Sequence, residues 1–277
     1  MDRARGLLEL LRPTNAVAAG LLTFIGAFVA GSLSAPVPLT FAVVATVLAT
    51  GAGNAINDYF DREIDAINRP DRPIPRGDVT PRMALYFSLV LFAVAVGLTL
   101  LLPWLAIAIA VINLIALISY TELFKGLPGV GNALVAYLTG STFLFGGAAV
   151  GGDLSTVLVL FALAAGATMA REIVKDVEDL RGDSQEGLTT LPVAIGRRQS
   201  LYVATLFVVL AILASPLPYL DGTFGLPYLA VLAPAVIGLL VATYRSFDDP
   251  STGQRWLKAS MFLAAIAFVV GRVAVVV

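Results

Sequence analysis

Long apolar stretches, separated by short polar or proline-containing segments, dominate the chain. Positions 83–121 and 126–152 contain no Asp, Glu, Lys or Arg, so each block is long enough for one or two spans of about 20 residues. Bounding the apolar stretches by charges, Pro and Gly predicts nine membrane-spanning helices. They cover positions 14–33, 37–60, 82–102, 104–121, 128–150, 154–177, 199–216, 227–245 and 255–275. The predicted fold class is all-α, a polytopic membrane protein.

Composition supports this class and excludes several functions. Hydrophobic residues make up 58% of the 277 positions and charged residues 13%, with a mean hydropathy of +0.88. A net charge of -1 gives no reason to expect a nucleic-acid partner, which requires a clustered cationic excess. The chain has no Cys and no His, so it forms no disulfide and lacks the usual zinc ligands. Any bound metal must be held by oxygen, which favours Mg²⁺, Mn²⁺ or Ca²⁺.

The basic residues predict how the helices cross the membrane. With the amino-terminus inside, all but one of the 18 basic residues fall in the amino-terminal tail or in loops on that same side, and Arg272 is the exception. Basic residues accumulate on the cytoplasmic side, so we expect an integral cell-membrane protein whose amino-terminus and polar loops are cytoplasmic. A cleaved secretory signal is the alternative for the first span. Its apolar run, from Asn15 to about Leu33, is longer than the usual signal core.

Two acidic motifs stand out at the ends of apolar segments. The pattern Asp-x-x-Asp-x-x-x-Asp occurs at Asp58, Asp61 and Asp65 and again, 118 positions later, at Asp176, Asp179 and Asp183. If the first segment is helical through Asp65, its three carboxylates share one face of the helix. Like charges at this spacing repel each other. We therefore expect a cation to compensate them.

The recurrence of the motif predicts an internal repeat. The first copy follows predicted helix two and the second follows helix six, and Asn15-Ala16 has a counterpart in Asn132-Ala133. We expect a single membrane domain over 1–277 built from two parallel four-helix repeats, at about 12–125 and 128–245, with an additional helix at about 255–275. Both acidic motifs would then lie on one side of the membrane.

Facing carboxylate clusters indicate a site for divalent cations and a phosphorylated substrate. Mg²⁺ typically takes one or two protein carboxylates together with substrate phosphates, which is the arrangement needed to hold a diphosphate. Nearby basic residues are able to contact phosphate oxygens directly. They are Arg69, Arg72, Arg76, Lys125, Lys175 and Arg181. The alternative is that both acidic segments are ordinary solvated loops, which would not explain their identical spacing.

Four segments resemble the UbiA-type membrane prenyltransferases. The first signature of that family is similar to residues 57–65 (NDYFDREID) followed by 69–77 (RPDRPIPRG), and the second to 171–183 (REIVKDVEDLRGD) continuing to 187–192 (GLTTLP). Residues 120–125 (YTELFK) and 12–15 (RPTN) resemble two further family segments. The resemblance covers nearly the whole chain. It implies nine helices in a ring around a central cavity, with the acidic motifs capping its cytoplasmic mouth.

The resemblance also implies roles for individual residues. Asn57, Asp61, Asp65, Asp179 and Asp183 match the family's Mg²⁺-binding pattern, while Asp58 and Asp176 lie on the same stripes and are either ligands or supporting charges. Carboxylates Asp61, Asp65, Asp179 and Asp183, together with Lys125, would serve catalysis. The expected diphosphate-binding residues are Arg69, Arg72, Tyr120, Lys125 and Lys175. The alternative for the basic side chains is that they extend to the membrane–water interface without binding substrate. The alternative for Tyr120 is that its ring lies at the level of the lipid headgroups.

The activity implied is transfer of a prenyl group from its diphosphate to a lipid-like acceptor in a dry apolar cavity. The second signature is most similar to archaeal enzymes that transfer a geranylgeranyl group to geranylgeranylglyceryl phosphate in ether lipid synthesis. A chlorophyllide-like or aromatic acceptor is the alternative, because the first signature also resembles that of chlorophyll synthases. A cation-coupled transporter is a more remote alternative, since transport sites lie near the bilayer midplane and these acids cluster at one interface.

Overall fold

The computed structural model describes residues 2–31, 33–119, 124, 127–185 and 187–276, without the side chains of Asp2 and Asn68. Within these ranges the secondary structure is helical and contains no strand. The helices are α1 (Asp2–Leu10), α2 (Pro13–Ala30), α3 (Pro36–Phe60), α4 (Arg62–Asn68), α5 (Pro81–Thr99), α6 (Trp104–Ser119), α7 (Val130–Ala149), α8 (Leu154–Gln185), α9 (Leu191–Ile195), α10 (Arg197–Ala214), α11 (Leu217–Leu220), α12 (Pro227–Arg245) and α13 (Pro250–Val276).

A long helix lies at each of the nine positions that the apolar pattern predicted. In the described part of the chain, seven helical segments are long and apolar enough to cross a membrane. They are Pro13–Ala30, Pro36–Phe60, Pro81–Thr99, Leu154–Gln185, Arg197–Leu220, Pro227–Arg245 and Pro250–Val276. Helix α6 is apolar but has only 16 residues. The all-α membrane class is confirmed, whereas nine as a count of spans stays a prediction.

Hydrogen bonds between helix ends define two opposite ends of the bundle. At one end the start of α2 meets the last turn of α3, because Arg12 contacts Asp58, and the start of α7 meets α8 through Asn132 and Asp176. At the other end the amide of Asp153 donates to Ala30 O at 3.1 Å, and that of Gly225 donates to Gly271 O at 2.9 Å. Both acidic motifs lie at the first end, which we call the polar end.

Close packing of α2 against α7 holds the centre of the bundle. A Cβ atom added at Gly146 would lie 1.9 Å from Thr23 O, and one added at Gly26 would lie 2.2 Å from Phe143 O. Only glycine permits two helix backbones to approach this closely, as is common between membrane helices. Phe143, which is fully buried, packs with Phe224 just before α12, Tyr228 of α12 and Phe268 of α13. This aromatic group joins α7 to α12 and α13.

The structure corrects three local predictions. The helix predicted over 37–60 does not continue unbroken through Asp65, because α3 ends at Phe60, Asp61 lies in a turn and α4 begins at Arg62. The helix predicted over 154–177 continues to Gln185 and carries the whole second acidic motif. Residues 2–10, treated as a tail, form the amphipathic helix α1.

Helix α1 is anchored against α3 and the loop between α4 and α5. Leu10 is fully buried in a cluster with Ala55, Ile74, Val79 and Ala84. The cluster fixes the loop between α4 and α5 on the end of α3. The polar end therefore has a folded support outside the membrane-spanning helices.

Candidate active site

A cavity of about 820 Å³ opens through the centre of the helix bundle, and each of the nine long helices contributes to its wall. Charged and amide side chains line it near the polar end, and they include Arg12, Asn57, Arg171, Lys175 and Lys258. The remaining wall is mainly Ala, Leu, Val, Ile and Phe. Its deep part includes Phe143, Tyr228 and Phe268 of the aromatic group. A chamber of this kind suits a molecule with an anionic head and a long apolar tail.

The first acidic motif is held by two arginines. Asp58, in the last turn of α3, accepts a hydrogen bond from Arg12 Nη2 at 2.5 Å and another from Arg72 Nη1 at 3.2 Å. The same Nη1 of Arg72 also contacts Asp65 on α4. The Asp58 and Asp65 side chains are only 6% and 8% exposed, so both depend on these guanidinium groups for compensation.

Backbone geometry directs these two arginines towards the carboxylates. Arg12 has φ 46° and ψ 68°, the left-handed conformation, at the residue just before α2. A non-glycine residue adopts this conformation at a cost of roughly 1 kcal/mol or more, so it occurs where the surrounding contacts require it. Arg72 lies in a series of turns whose residues Ile74 and Val79 are buried beneath α1. That loop is tied to α1 by Arg76, which contacts Glu9 at 2.7 Å.

The second acidic motif projects from a continuous helix. Asp176 accepts a hydrogen bond from Asn132 Nδ2 at 2.8 Å, and Asp183 accepts one from Thr190 Oγ1 at 3.0 Å. Asp179, between them, is exposed at the polar end. One turn deeper, Glu172 accepts from Arg171 Nη1 at 2.6 Å and from Lys175 Nζ at 3.4 Å. Helix α8 thus carries acids above a charged group at the cavity wall.

The two motifs face each other across the polar end. The guanidinium of Arg69, which follows α4, lies within electrostatic range of the Asp179 carboxylate on α8. The Asp183 carboxylate lies within the same range of Asp179. Within the described ranges, no three carboxylates are close enough to form a preformed metal cage.

Of the predicted site residues, Arg69 follows α4 and Lys175 of α8 lines the cavity, and the others fall into three groups. Arg72 contacts both Asp58 and Asp65, and Asn57 lines the cavity. Asp61 lies in the turn between α3 and α4, and Asp176, Asp179 and Asp183 lie on α8. Tyr120 and Lys125, predicted to contact the diphosphate and to serve catalysis, lie outside the described residues.

Sequence reasoning missed several polar contacts of the site. Arg12 was noted only as part of the entry to the first helix, yet it is a partner of Asp58. Asn132 was noted as a counterpart of Asn15, and this echo was the available signal for its contact with Asp176. Lys258 reaches the cavity from α13, and no pattern in the sequence marked it.

Comparisons with known proteins match this arrangement over the whole chain. The model of the UbiA prenyltransferase family matches residues 19–266. The digeranylgeranylglyceryl phosphate synthase of Natronomonas pharaonis is 77% identical over 276 residues, which cover 100% of both chains. The synthase of the same name from Halobacterium salinarum is 59% identical over 273 residues, covering 98% of this chain and 99% of its own.

Solved structures have the same fold. A structure from work on digeranylgeranylglyceryl phosphate synthase in membranes is 36% identical, with a TM-score of 0.82 over 99% of this chain and 100% of that one. A UbiA homolog from Archaeoglobus fulgidus, bound to DMAPP and Mg²⁺, has a TM-score of 0.75 at 18% identity over 98% of this chain and 99% of its own. At that identity the second likeness concerns the fold alone. From the family match and the full-length relatives, the chain belongs to the UbiA prenyltransferase family.

Proposed function

We propose that this protein is a Mg²⁺-dependent prenyltransferase that moves a geranylgeranyl group from its diphosphate to the hydroxyl of geranylgeranylglyceryl phosphate. The observation that carries the proposal is an apolar cavity whose polar end lies beneath two facing acidic motifs. The choice of acceptor is supported by full-length identity to synthases named for this product. The step belongs to the synthesis of archaeal ether lipids.

The proposed reaction exchanges one C–O bond for another. The bond between the first carbon of the geranylgeranyl chain and the diphosphate oxygen breaks, and diphosphate leaves with the bonding electrons. A bond forms between that carbon and the hydroxyl oxygen of the acceptor, whose proton is released. Water would capture an allylic cation, so the apolar wall of the cavity protects the reacting carbon by excluding water.

The described residues fit a Mg²⁺ site. Asn57, Asp61, Asp65, Asp179 and Asp183 offer only carboxylate and amide oxygens, which are the ligands that Mg²⁺ prefers, and Asp61 and Asp179 are accessible at the polar end. When bound there, Mg²⁺ would neutralise the negative charge that develops on the leaving diphosphate.

Asp58 and Asp176 are better explained as supporting groups. Asp58 is paired with two arginines, and Asp176 accepts from the amide of Asn132. Asp58 has two arginine partners, whereas Asp65 has one among the described residues, and Asp176 is half-buried. We therefore propose that they position neighbouring groups, although they lie on the same stripes as the metal ligands.

The diphosphate would be held by basic residues on both sides of the polar end. We propose Arg69 and Lys175 for this role, together with Tyr120 and Lys125 from the segment that follows α6. Arg72 contacts Asp58 and Asp65, so we propose that it orients these carboxylates as well as facing the diphosphate. Guanidinium and ammonium groups would stabilise the charge that grows on the leaving group.

The orientation in the membrane follows from the placement of basic residues. We propose that the amino-terminus and the polar end face the cytoplasm, as the positive-inside rule predicts. Both substrates carry long isoprenoid chains, and the surrounding membrane would supply them to the cavity. The two-repeat organisation, over about 12–125 and 128–245 with an additional helix, stays a prediction.

The test compares Asp61→Ala and Asp179→Ala with the unmodified protein, purified in detergent with Mg²⁺, geranylgeranyl diphosphate and geranylgeranylglyceryl phosphate. We expect both variants to lose about a hundredfold or more in turnover, because each lacks a carboxylate that would hold the Mg²⁺ needed to counter the diphosphate charge. Asp71→Ala is the matched control, since this exposed acid lies in the loop between α4 and α5, outside both acidic motifs. Turnover that persists in both variants would overturn the proposed mechanism.

The same assay tests the acceptor. A hydroxybenzoate, a naphthoate and a chlorophyllide are offered in place of geranylgeranylglyceryl phosphate. Faster transfer to any of these would replace the proposed acceptor and leave the prenyl-transfer mechanism standing.

A further inference from the structure

A group of polar side chains from three helices lies at the cavity mouth and contains neither acidic motif. Lys258 of α13 donates to Asn15 Oδ1 of α2 at 3.3 Å. Arg171 of α8 donates through Nη2 to Gln254 Oε1 of α13 at 3.0 Å. Gln254 and Lys258 are four residues apart on α13, so they share one face of that helix. The two contacts therefore place Arg171 and Lys258 on the same side of the mouth.

The partners of these two cations orient them without neutralising them. Asn15 and Gln254 accept through amide oxygens, which carry no charge. Over the described ranges, Lys258 has no carboxylate within ion-pair distance, and Arg171 has one, Glu172, which also accepts from Lys175. The Nε of Arg171 is buried and has no hydrogen-bond partner among the described residues. The group consequently carries more positive charge than Glu172 balances. It also contains a hydrogen-bond donor, Arg171 Nε, that has no acceptor among the described residues.

This excess matters because the proposed reaction brings two anionic substrates to one mouth. The acceptor carries its hydroxyl and a phosphate on the same glycerol, so its phosphate must lie within a few ångströms of the reacting carbon. A phosphate monoester carries roughly −1.5 to −2 charges near neutral pH and has three accepting oxygens. Six aspartates would repel it. A cationic group on the α2, α8 and α13 side offers a place for it away from those carboxylates.

We propose that Lys258 and Arg171, oriented by Asn15 and Gln254, bind the phosphate of the acceptor. This assignment rests on the proposed function. The acidic motifs hold the diphosphate of the donor, and the α8–α13 group holds the single phosphate of the acceptor. The glycerol between that phosphate and the apolar tail then lies across the mouth, with its hydroxyl directed towards the donor carbon. Lys258 also distinguishes an anionic acceptor from a neutral one.

The experiment compares the unmodified protein with Lys258→Met, Lys258→Arg and Arg255→Met in detergent micelles. Steady-state rates are measured with geranylgeranyl diphosphate and either geranylgeranylglyceryl phosphate or its dephosphorylated form, geranylgeranylglycerol. The unmodified protein is also assayed with a hydroxybenzoate as acceptor. Arg255 is the matched control because it is basic, lies on the same helix and bonds to Ser251 and Thr252 of its own first turn. Thermal unfolding of each variant verifies that it is folded.

We expect Lys258→Met to raise the KM for the phosphorylated acceptor about tenfold or more, as the loss of a charge-assisted hydrogen bond does. The KM for the donor should be unchanged, and Lys258→Arg should restore most of the acceptor affinity. With the dephosphorylated acceptor the unmodified protein should already be poor, and Lys258→Met should make it no worse. Arg255→Met should match the unmodified protein throughout.

Three outcomes separate the possible failures. An equal loss with both acceptors would overturn the phosphate site, including the case in which Lys258 holds the headgroup of a bulk membrane lipid. A rise in the donor KM alone would also overturn it and assign Lys258 to the diphosphate. If the unmodified protein transferred to neither glycerol acceptor but used an aromatic one, the proposed function itself would fail.

Discussion

Arg72 offers the sharpest test of how the first acidic motif is held together. Its Nη1 is shared by Asp58 and Asp65, which lie in different helices on the two sides of the turn at Asp61. Replacing Arg72 with Met keeps much of the side-chain volume and removes the charge. Asp58 would retain Arg12, whereas Asp65 would lose its described partner. We expect α4 to detach from α3.

The magnitude follows from burial. The Asp65 side chain is 8% exposed and that of Arg72 is 19% exposed. Removing one partner of a buried ion pair costs about 3–5 kcal/mol, because the other charge stays desolvated and unpaired. Since Arg72 is partly exposed, we expect the cost of Arg72→Met to lie at the lower end, about 3 kcal/mol.

A double-mutant cycle isolates this pair. Arg72→Met, Asp65→Asn and the double variant are unfolded by SDS from mixed micelles, and their free energies of unfolding are compared. Because Asp65→Asn removes the stranded charge, the double variant should be more stable than the sum of the single changes predicts, by about 2 kcal/mol. Arg76→Met is the control, since this arginine pairs at the surface with Glu9 and Asp78. Additive single changes would refute the argument that Arg72 compensates Asp65.

Two further predictions concern the core and the surface. Gly146→Ala should destabilise the protein by about 3 kcal/mol or more, because the added Cβ would lie 1.9 Å from Thr23 O. Gly97→Ala is the control and should not destabilise the protein, because no atom lies within 4 Å of its added Cβ. Equal melting temperatures of the two variants would contradict the close approach of α2 and α7. Hydrogen bonds from Arg76, and to a smaller extent from Arg5, hold the pKa of Glu9 below its ordinary value of 4.5. The ionised form of Glu9 therefore stabilises the fold above that pH, and this stabilisation is lost as the pH falls through the lowered pKa. The melting temperatures of Glu9→Gln and the unmodified protein should therefore differ near pH 6 and converge in acid, and a constant difference would argue against this pairing.

The apolar pattern predicted the long helices well because burial in lipid imposes it directly. The helix expected at 227–245 has those bounds, since a proline marks its start at Pro227 and the apolar stretch ends at Arg245. Helix α8 was predicted too short by eight residues because the last apolar residue before the charged segment 178–185 is Val177 and Leu180 stands alone among charges. Beyond Val177 the helix is maintained by residues of good helix propensity, such as Leu180 and Arg181, in a polar environment.

Long-range ion pairing was not accessible to sequence reasoning. The compensating cation for the first motif was correctly expected, but the pattern pointed to a metal ion, and two arginines take part in compensating it. Arg12 is 46 residues from Asp58 in the chain, and only the packing of α2 beside α3 brings them together. The break at Asp61 was equally hidden, because Asp61 and Asp65 keep the backbone hydrogen bonds of a helix across the turn.

The unbroken course of α8 has a consequence for how the site tolerates insertions. One rigid helix carries Thr168 in the cavity wall, Arg171 and Lys175 at the mouth, and Asp179 beyond it. One extra residue between Thr168 and Asp176 would rotate the whole acidic motif by about 100° and shift it by about 1.5 Å. An extra residue at Asp61 would instead act locally, by changing the spacing between Asp58 and Asp65 that Arg72 bridges. An insertion in α8 should therefore displace every acid of its motif together, whereas one at Asp61 should disturb α4 and leave the end of α3 in place.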